Sequence, residues 1–261
     1  MYIKPLRQLV TATSDGALAA TELEKYVAAL HRKTGLRAEM PAPKQSEATN
    51  SIDSHEATKS NEIFTEEMRT QLDTVFHRME RSLLLKLHLD NRPVSKELEH
   101  FITTLTELSD KLEMAVADNQ AREVFAPCVE ICLADGNPTG LAFHGVPSGH
   151  EFTSFVLGLY NAAGPGQSID ENVKQKITAI TKPVDIKILV TLSCSMCPDL
   201  VVAAQRIAAA NPNITVHGYD IRYFEDLKNR YNVMSVPCMV INDQDVHFGK
   251  KTIQQLLDLI Q

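Results

Sequence analysis

The sequence predicts an α/β protein in which helices and strands alternate around a mixed β-sheet. Residues 64–80 carry apolar side chains at helical spacing, and the segment that follows, SLLLKLHLD, is apolar enough for a buried strand. The alternation of helix and strand continues to the C-terminus. It runs through the chain twice, with a second pass beginning near Ile169. Two passes of roughly 100 residues each indicate an internal duplication.

The first pass contains three predicted helices and three predicted strands. The opening helix has one apolar face, and Arg92-Pro93 begins a turn before the second helix, for which Ser95 is the predicted N-cap. In chain order the helices are FTEEMRTQLDTVFHRME, KELEHFITTLTELSD and HEFTSFVLGLYNA, and the strands are SLLLKLHLD, LEMAVAD and FAPCVEICLAD.

The second pass repeats this pattern and ends in a helix. Its predicted helices are ENVKQKITAI, CPDLVVAAQRIAAANP, YFEDLKNRYN and TIQQLLDLIQ, and its predicted strands are VDIKILVTL, ITVHGYDI and VPCMVIND.

The first 62 residues differ in composition from the rest. Residues 1–39 contain a strand-like QLVTAT, a turn and an alanine-rich helical pattern. Residues 40–62 have almost no large apolar side chains to offset the entropy cost of folding, which predicts a flexible linker. The predicted divisions are therefore 1–39, 40–62, a first repeat at 63–166 and a second repeat at 167–261.

Composition argues against several classes of function. The chain has 261 residues with a net charge of −7, no tryptophan and 6% aromatic residues, which disfavours nucleic-acid binding. No stretch approaches the ~18 apolar residues of a membrane span. The start, MYIKPLRQLV, lacks the apolar core of a signal peptide, so the cytoplasm is the predicted compartment. Because stable disulfides are rare there, five cysteines favour a redox or metal role.

The motif Cys194-Ser195-Met196-Cys197-Pro198 follows a predicted strand and opens a predicted helix. Unpaired N–H groups and the helix dipole stabilise a thiolate at such a helix start. We assign Cys194 as the nucleophile and Cys197 as the resolving thiol, which attacks the mixed disulfide. The alternative is half of a zinc site, but zinc needs four ligands and the chain has no second CxxC.

A second feature lies some 40 residues downstream, at Val236-Pro237. Pro237 stands at the start of a predicted strand and resembles the cis-proline that accompanies a thioredoxin-type CxxC. A cis bond there leaves the backbone free to pair with an extended substrate. The alternative is an ordinary trans proline at a strand start.

The stretches GVPSGHEFTSFVLGLYNAAG, LSCSMCPDLV and NVMSVPCMVIN resemble the N-terminal domain of the flavoprotein subunit of alkyl hydroperoxide reductase. The resemblance covers residues from about 65 to 261. It implies two tandem thioredoxin-like folds fused into one continuous mixed sheet, of which the first is redox-inactive. It also implies that Glu151 lies near the dithiol as a proton acceptor. The alternative for Glu151 is a residue favoured at a helix start by the dipole.

The front end, KPLRQLVTATSDGALAATELEKYV, resembles the last segment of low-molecular-weight thioredoxin reductases. By that resemblance Arg7 and Gln8 contact FAD, and residues 1–39 are the remnant of a FAD domain. The chain has no GxGxxG after a strand, so we expect it to bind neither FAD nor NAD(P)H alone. By this resemblance both cofactors are expected in an intact parent enzyme, and the chain looks like the C-terminal part of such an enzyme.

Three further cysteines have no assigned chemistry. Cys128 follows Pro127 and Cys238 follows Pro237, so both occupy the position after a predicted cis-proline. Cys238 is either a neighbour of Cys194 that forms an alternative disulfide or a small buried hydrophobe. Cys128 and Cys132 are too far apart along a strand to bond to each other.

The sequence thus predicts a thiol-disulfide oxidoreductase module. In this interpretation Cys194 and Cys197 accept electrons from a thioredoxin-reductase-like flavoprotein domain and pass them to a peroxiredoxin or another protein disulfide. The alternative is a non-catalytic interaction module with a thioredoxin fold, and an isomerase or oxidant is disfavoured by the predicted compartment. We expect no nucleic-acid or membrane partner, and the sequence leaves a homodimer open.

Overall fold

Eight strands form one continuous sheet in the described residues, which are 63–118 and 125–260 of a computed structural model. The strands are β1 (Leu83–His88), β2 (Leu112–Val116), β3 (Cys128–Leu133), β4 (Pro138–His144), β5 (Val184–Val190), β6 (Ile214–Asp220), β7 (Cys238–Ile241) and β8 (Asp245–Phe248). The helices are α1 (Glu66–Phe76), α2 (Pro93–Thr106), α3 (Glu151–Ala163), α4 (Glu171–Thr178), α5 (Cys197–Ala210), α6 (Glu225–Arg230) and α7 (Ile253–Ile260).

The two halves of the sheet repeat one topology. The strand order is β2-β1-β3-β4-β6-β5-β7-β8. In each half the first strand pairs parallel with the second and antiparallel with the third, which pairs antiparallel with the fourth. This repetition confirms the predicted fold class, two thioredoxin-like folds in one mixed sheet. The residue boundaries assigned to the repeats stay predictions, and residues 1–62, with the predicted remnant and linker, lie outside the described residues.

The halves meet where β4 pairs in parallel with β6, from Leu141 opposite Val216 to His144 opposite Tyr219. Gly218 lies on this seam beneath the ring of Phe143. A Cβ at Gly218 would lie 2.9 Å from that ring, so glycine leaves room for the Phe143 side chain over β6.

The core lies between the sheet and helices α3 and α5. Alternate residues of β1, from Leu83 to Leu87, are fully buried, and so are Ile186 and Ile188 of β5. Helices α3 and α5 pack against each other and against the central strands. This packing brings the N-termini of both helices to the side of the sheet where the C-terminal ends of β5 and β6 lie.

The sequence pattern misses two strands, β4 and β8, which occupy the same place in each half. In β4, Pro138 and Gly140 interrupt the apolar run that otherwise signals a strand. β8 has four residues, begins with a charged Asp245 and has no fully buried side chain. Both strands form because a hairpin pairs them with a well-defined neighbour, β3 or β7.

Ser95 is not the N-cap of α2, contrary to the prediction. The helix begins at Pro93, whose ring fixes a helical φ and needs no N–H partner, and Arg92 is the N-cap. The Ser95 hydroxyl instead donates to Asp90 Oδ1 at 2.7 Å, which holds the turn before the helix. Among residues 63–118 and 125–260, no helix is long and apolar enough to cross a membrane.

Candidate active site

The two cysteines of the CxxC motif are joined just beyond the end of β5. Cys194 and Cys197 form a disulfide, with Cα atoms 5.5 Å apart. Helix α5 begins at Cys197, with Met196 as its N-cap and Pro198 in the first turn. Cys194 is half-buried and Cys197 is fully buried. The first cysteine is therefore the one that a partner can reach, as the sequence predicts.

Pro237 lies at the same end of the strands as the disulfide. β7 runs antiparallel to β5 with Cys238 opposite Leu189, so the start of β7 adjoins the end of β5. The Val236–Pro237 peptide bond is cis, as predicted. The carbonyl of Pro237 accepts from Gly249 N at 2.9 Å. Val236 forms no backbone–backbone hydrogen bond with another described residue, which suits its N–H and carbonyl groups to pair with an extended chain.

Glu151 is the first residue of α3 and is held beside the loop that carries the dithiol. The preceding residue, His150, donates its backbone N–H to the carbonyl of Leu192 at 3.1 Å, two residues before Cys194. The Ser154 hydroxyl donates to Glu151 Oε2. Oε1 is buried and has no hydrogen-bond partner among the described residues.

Burial raises the pKa of Glu151 from 4.5 to about 7, and the charge of Asp220 adds to the effect, while the hydrogen bond from Ser154 opposes it. A carboxyl with a pKa near 7 exchanges its proton readily at neutral pH. The arrangement suits Glu151 to the proton-accepting role that the resemblance implies, which stays a prediction here.

Asp220 is a second buried carboxylate at this edge, and the sequence analysis does not single it out. It ends β6 opposite Val190 and is fully buried. Arg222 donates to its carboxylate from Nε at 3.0 Å and from Nη2 at 2.6 Å. The guanidinium thus compensates the charge of Asp220, whereas no cation lies against Glu151 among the described ion pairs.

Gly149 fixes the approach of α3 to the dithiol loop, and we expect Gly149→Ala to disturb it. Its φ is +57°, and a Cβ there would lie 2.7 Å from the carbonyl oxygen of Leu192. The substitution should lower the free energy of unfolding by about 2–4 kcal/mol, from backbone strain and the clash together. Urea unfolding of the oxidised protein measures this loss.

Gly136→Ala is the matched control for Gly149→Ala. Gly136 also has a positive φ, +86°, but a Cβ there meets nothing within 4 Å. Gly136→Ala should therefore lower the free energy of unfolding only by the contribution of backbone strain, about 1 kcal/mol. Equal losses in the two variants would show that the contact with Leu192 does not matter.

The corresponding site of the first half has no CxxC after β1, and Arg92 lies there instead. The Ala126–Pro127 bond is also cis, and Pro127 O accepts from Gly145 N at 2.9 Å, as Pro237 O does from Gly249 N. Here, however, the guanidinium of Arg92 donates to the carbonyl of Ala126, the residue before the cis-proline. The carbonyl before the cis-proline is therefore bonded in the first half, whereas that of Val236 has no such partner among the described residues.

Cys128, Cys132 and Cys238 form no disulfide in the described residues and are buried. Burial raises the pKa of Cys132 and of Cys238 to about 11, so both are poor nucleophiles at neutral pH. Cys238 packs in the apolar cluster of β5, β6 and β7, which favours the small buried hydrophobe over the alternative disulfide. Cys128 Sγ lies 3.6 Å from His144 Nε2.

Two helix starts lack the features of a phosphate site. Helix α2 opens with Arg92-Pro93 and α5 with Cys197-Pro198, and neither start has the glycines that cradle a phosphate. No group of three or more metal-ligating side chains occurs within 63–118 and 125–260. Arg7 and Gln8, the predicted FAD contacts, lie outside the described residues.

Of the predicted site residues, the structure therefore places Cys194, Cys197, Pro237 and Glu151 on one edge of the sheet. Sequence reasoning missed Arg92 and its role in closing the first cis-proline loop. A signal for it exists, because Arg92-Pro93 and Cys197-Pro198 both stand at the start of the helix that follows the first strand of their half.

The fold and the site define a thioredoxin-fold disulfide oxidoreductase. In the crystal structure of the NTD_N/C domain of alkyl hydroperoxide reductase AhpF from Enterococcus faecalis, the matching chain is 35% identical. The TM-score is 0.72, and the match covers 76% of this chain and 100% of that one. The chain belongs to the family of the N-terminal domain of alkyl hydroperoxide reductase AhpF.

Other comparisons agree with this family. The family described as "Thioredoxin domain" matches residues 184–261. The AhpF protein of Pseudomonas aeruginosa is 30% identical over 190 residues, which are 73% of this chain and 36% of that protein. A protein disulfide oxidoreductase from Aeropyrum pernix, 20% identical with a TM-score of 0.66 over 75% of this chain and 91% of its own, shares the fold. The chain spans little more than a third of its curated relatives, 36–37% of the first three.

Proposed function

We propose that this chain relays electron pairs from a flavoprotein dithiol to a disulfide on a peroxiredoxin or a similar protein, through Cys194 and Cys197. The observation that carries the proposal is the disulfide with its half-buried Cys194, next to Val236, whose backbone forms no backbone–backbone hydrogen bond with another described residue. A protein disulfide can lie extended along Val236 while its sulfur meets Cys194.

The transfer takes two exchange steps. The thiolate of reduced Cys194 attacks one sulfur of the partner's disulfide, forming a mixed disulfide and releasing the partner's other sulfur as a thiolate. Cys197 then gives its proton to Glu151 and attacks Cys194, which forms the Cys194–Cys197 disulfide and releases the partner's second thiolate. The partner gains two electrons, and the two released thiolates take up protons from Glu151 and from water.

The donor and the compartment follow from the same chemistry. The AhpF relatives are named as parts of alkyl hydroperoxide reductase, and this chain matches little more than a third of their length. A flavoprotein domain that uses FAD and NAD(P)H would supply the dithiol that reduces Cys194–Cys197. Such a relay needs a reducing compartment, which supports the cytoplasm as the proposed location.

Redox titration of the purified chain, with thiols counted by mass spectrometry, tests the proposal. We expect a single two-electron couple at Cys194–Cys197 near that of thioredoxin, ~−270 mV. NADPH with thioredoxin reductase as the donor and an oxidised two-cysteine peroxiredoxin as the acceptor should then give turnover that depends on this chain. A pair that never titrates, or a chain that passes no electrons to the peroxiredoxin, would contradict the relay.

A further inference from the structure

Two methionines lie close in sequence to the site residues, Met196 between the two cysteines and Met234 three residues before Pro237, and they are the most exposed methionines of the described residues. Met196 is 51% exposed and Met234 is 80% exposed. Within 63–118 and 125–260, Met79 and Met239 are buried and Met68 and Met114 are half-buried. Since exposed large apolar side chains are normally scattered singly, two methionines beside one pair of cysteines are an unusual arrangement.

The exposure of Met234 is built into the loop between α6 and β7. Val233 on one side is 8% exposed and belongs to the apolar cluster of β5, β6 and β7, against which Val236 also packs. The backbone N–H of Val233 donates to Lys228 O at 2.9 Å. The loop is thus fixed on both sides of Met234, and its side chain projects from a well-anchored backbone three residues before Pro237.

Met196 is fixed in a similar way. It stands between the two bonded cysteines and is the N-cap of α5. Met196 is two residues from Cys194, and Met234 is two residues from Val236. A partner segment that bonds to Cys194 and pairs with Val236 therefore runs close to both methionines, whose flexible thioethers adapt to different apolar neighbours.

We propose that Met196 and Met234 form a rim, here called the thioether rim, whose oxidation by a hydroperoxide uncouples the dithiol from protein partners. The inference rests on the proposed function in one respect, namely that the partner is a protein disulfide. The oxidant is the class of molecule that a peroxiredoxin consumes.

The chemistry is a two-electron oxygen transfer. Each thioether sulfur is oxidised to a sulfoxide, and the hydroperoxide ROOH is reduced to ROH, so one oxygen atom moves and no proton is left over. The product is polar and disrupts apolar contacts. A protein partner must bury the thioether rim, so it binds less well after oxidation. A small disulfide needs to reach only Cys194, so its reaction is unchanged.

The modification itself is tested by peptide mapping. The oxidised chain, with Cys194 and Cys197 protected as their disulfide, is exposed to hydrogen peroxide, and the 16 Da gain is followed at each methionine. We expect Met234 to react first and Met196 next, with buried Met79 and Met239 as slow internal controls. Equal rates at all four would overturn the proposal.

The consequence is tested by comparing two acceptors. After treatment the disulfide is reduced with dithiothreitol, and the rates with an oxidised two-cysteine peroxiredoxin and with hydroxyethyl disulfide are measured. We expect the peroxiredoxin rate to fall roughly fivefold or more, the small-disulfide rate to hold, and methionine sulfoxide reductases to restore the loss.

The double variant Met196→Leu, Met234→Leu is the matched control, because leucine keeps apolar contact but has no sulfur to oxidise. Each protein is compared with its own untreated rate, and that ratio should stay near one for the double variant. A wild-type ratio near one overturns the thioether rim and leaves the relay standing. An untreated wild type that fails to reduce the peroxiredoxin overturns both.

Discussion

Cys194→Ser should abolish the reduction of protein disulfides, by a factor of at least about 10³, because a serine hydroxyl forms no nucleophilic anion near neutral pH. Cys197→Ser should act differently. It leaves the half-buried Cys194 able to attack but removes the thiol that resolves the product, so a mixed disulfide with the partner accumulates. Insulin reduction measures the first effect, and intact-mass analysis of the trapped adduct measures the second.

Cys238→Ala is the control for these two variants. Cys238 is buried in the apolar cluster beneath the site, forms no disulfide and has a pKa raised by burial. Its loss should leave the exchange rate within about twofold of the wild type. If Cys194→Ser retained the biological activity of the chain, the non-catalytic interaction module would replace the relay. If Cys238→Ala were as inactive as Cys194→Ser, the alternative disulfide would have to be reconsidered.

Glu151→Gln should slow the attack of Cys197 on the mixed disulfide, on the order of tenfold or more at pH 8. The pKa of Glu151 is raised by burial to about 7, so the ionised fraction of Glu151, which can accept the proton, increases as the pH rises from 6 to 8. In the wild type this step should accelerate over that range more steeply than in the variant.

The step can be isolated with Ellman's reagent. Cys194 of the reduced protein releases one thionitrobenzoate in a bimolecular phase, and Cys197 releases the second in a phase independent of protein concentration. Glu171→Gln is the matched control, because Glu171 also begins a helix but is exposed. If the second phase has the same pH profile in the wild type and in both variants, Glu151 is only a helix-start residue favoured by the dipole.

Glu151→Gln should also change the free energy of unfolding. The pH dependence of this effect has the opposite sign to that of a carboxylate whose pKa is lowered in the folded protein. Because the folded-state pKa of Glu151 lies near 7 and above its usual 4.5, the folded protein binds the proton more tightly than the unfolded chain. The wild type therefore loses stability between about pH 4.5 and 7, by at most about 3 kcal/mol. Glu151→Gln removes this loss, so its advantage over the wild type should increase from pH 5 to pH 8 in urea unfolding. A constant difference would contradict the raised pKa.

The elements with a strong local pattern are the ones that the sequence predicts. Strands rich in leucine, isoleucine and valine mark β1 and β5, and helical spacing marks α1, α2 and α5. β4 and β8 are missed because their stability comes from pairing with β3 and β7 and not from their own residues. The repeated strand order depends on pairings between residues far apart in sequence, which periodicity alone does not encode.

The site residues also differ in how well the sequence alone predicts them. Cys194 and Cys197 are close in sequence, so their spacing is enough to predict the pair. Glu151 lies more than 40 residues away, and only the resemblance brought it to the site. The charge balance around it depends on Asp220 and Arg222 at the end of another strand. The position of Arg92 before Pro93 is a signal in the sequence, but its hydrogen bond to Ala126 depends on the side-chain rotamer, which the sequence does not report.

The seam between β4 and β6 makes each half the cover of the other. A half on its own would present the backbone groups of β4 or of β6 as an open sheet edge, which can pair with another chain. The first half therefore protects the sheet of the half that carries the dithiol. A shortened protein that keeps only the dithiol half needs a replacement for β4 if it is to stay monomeric.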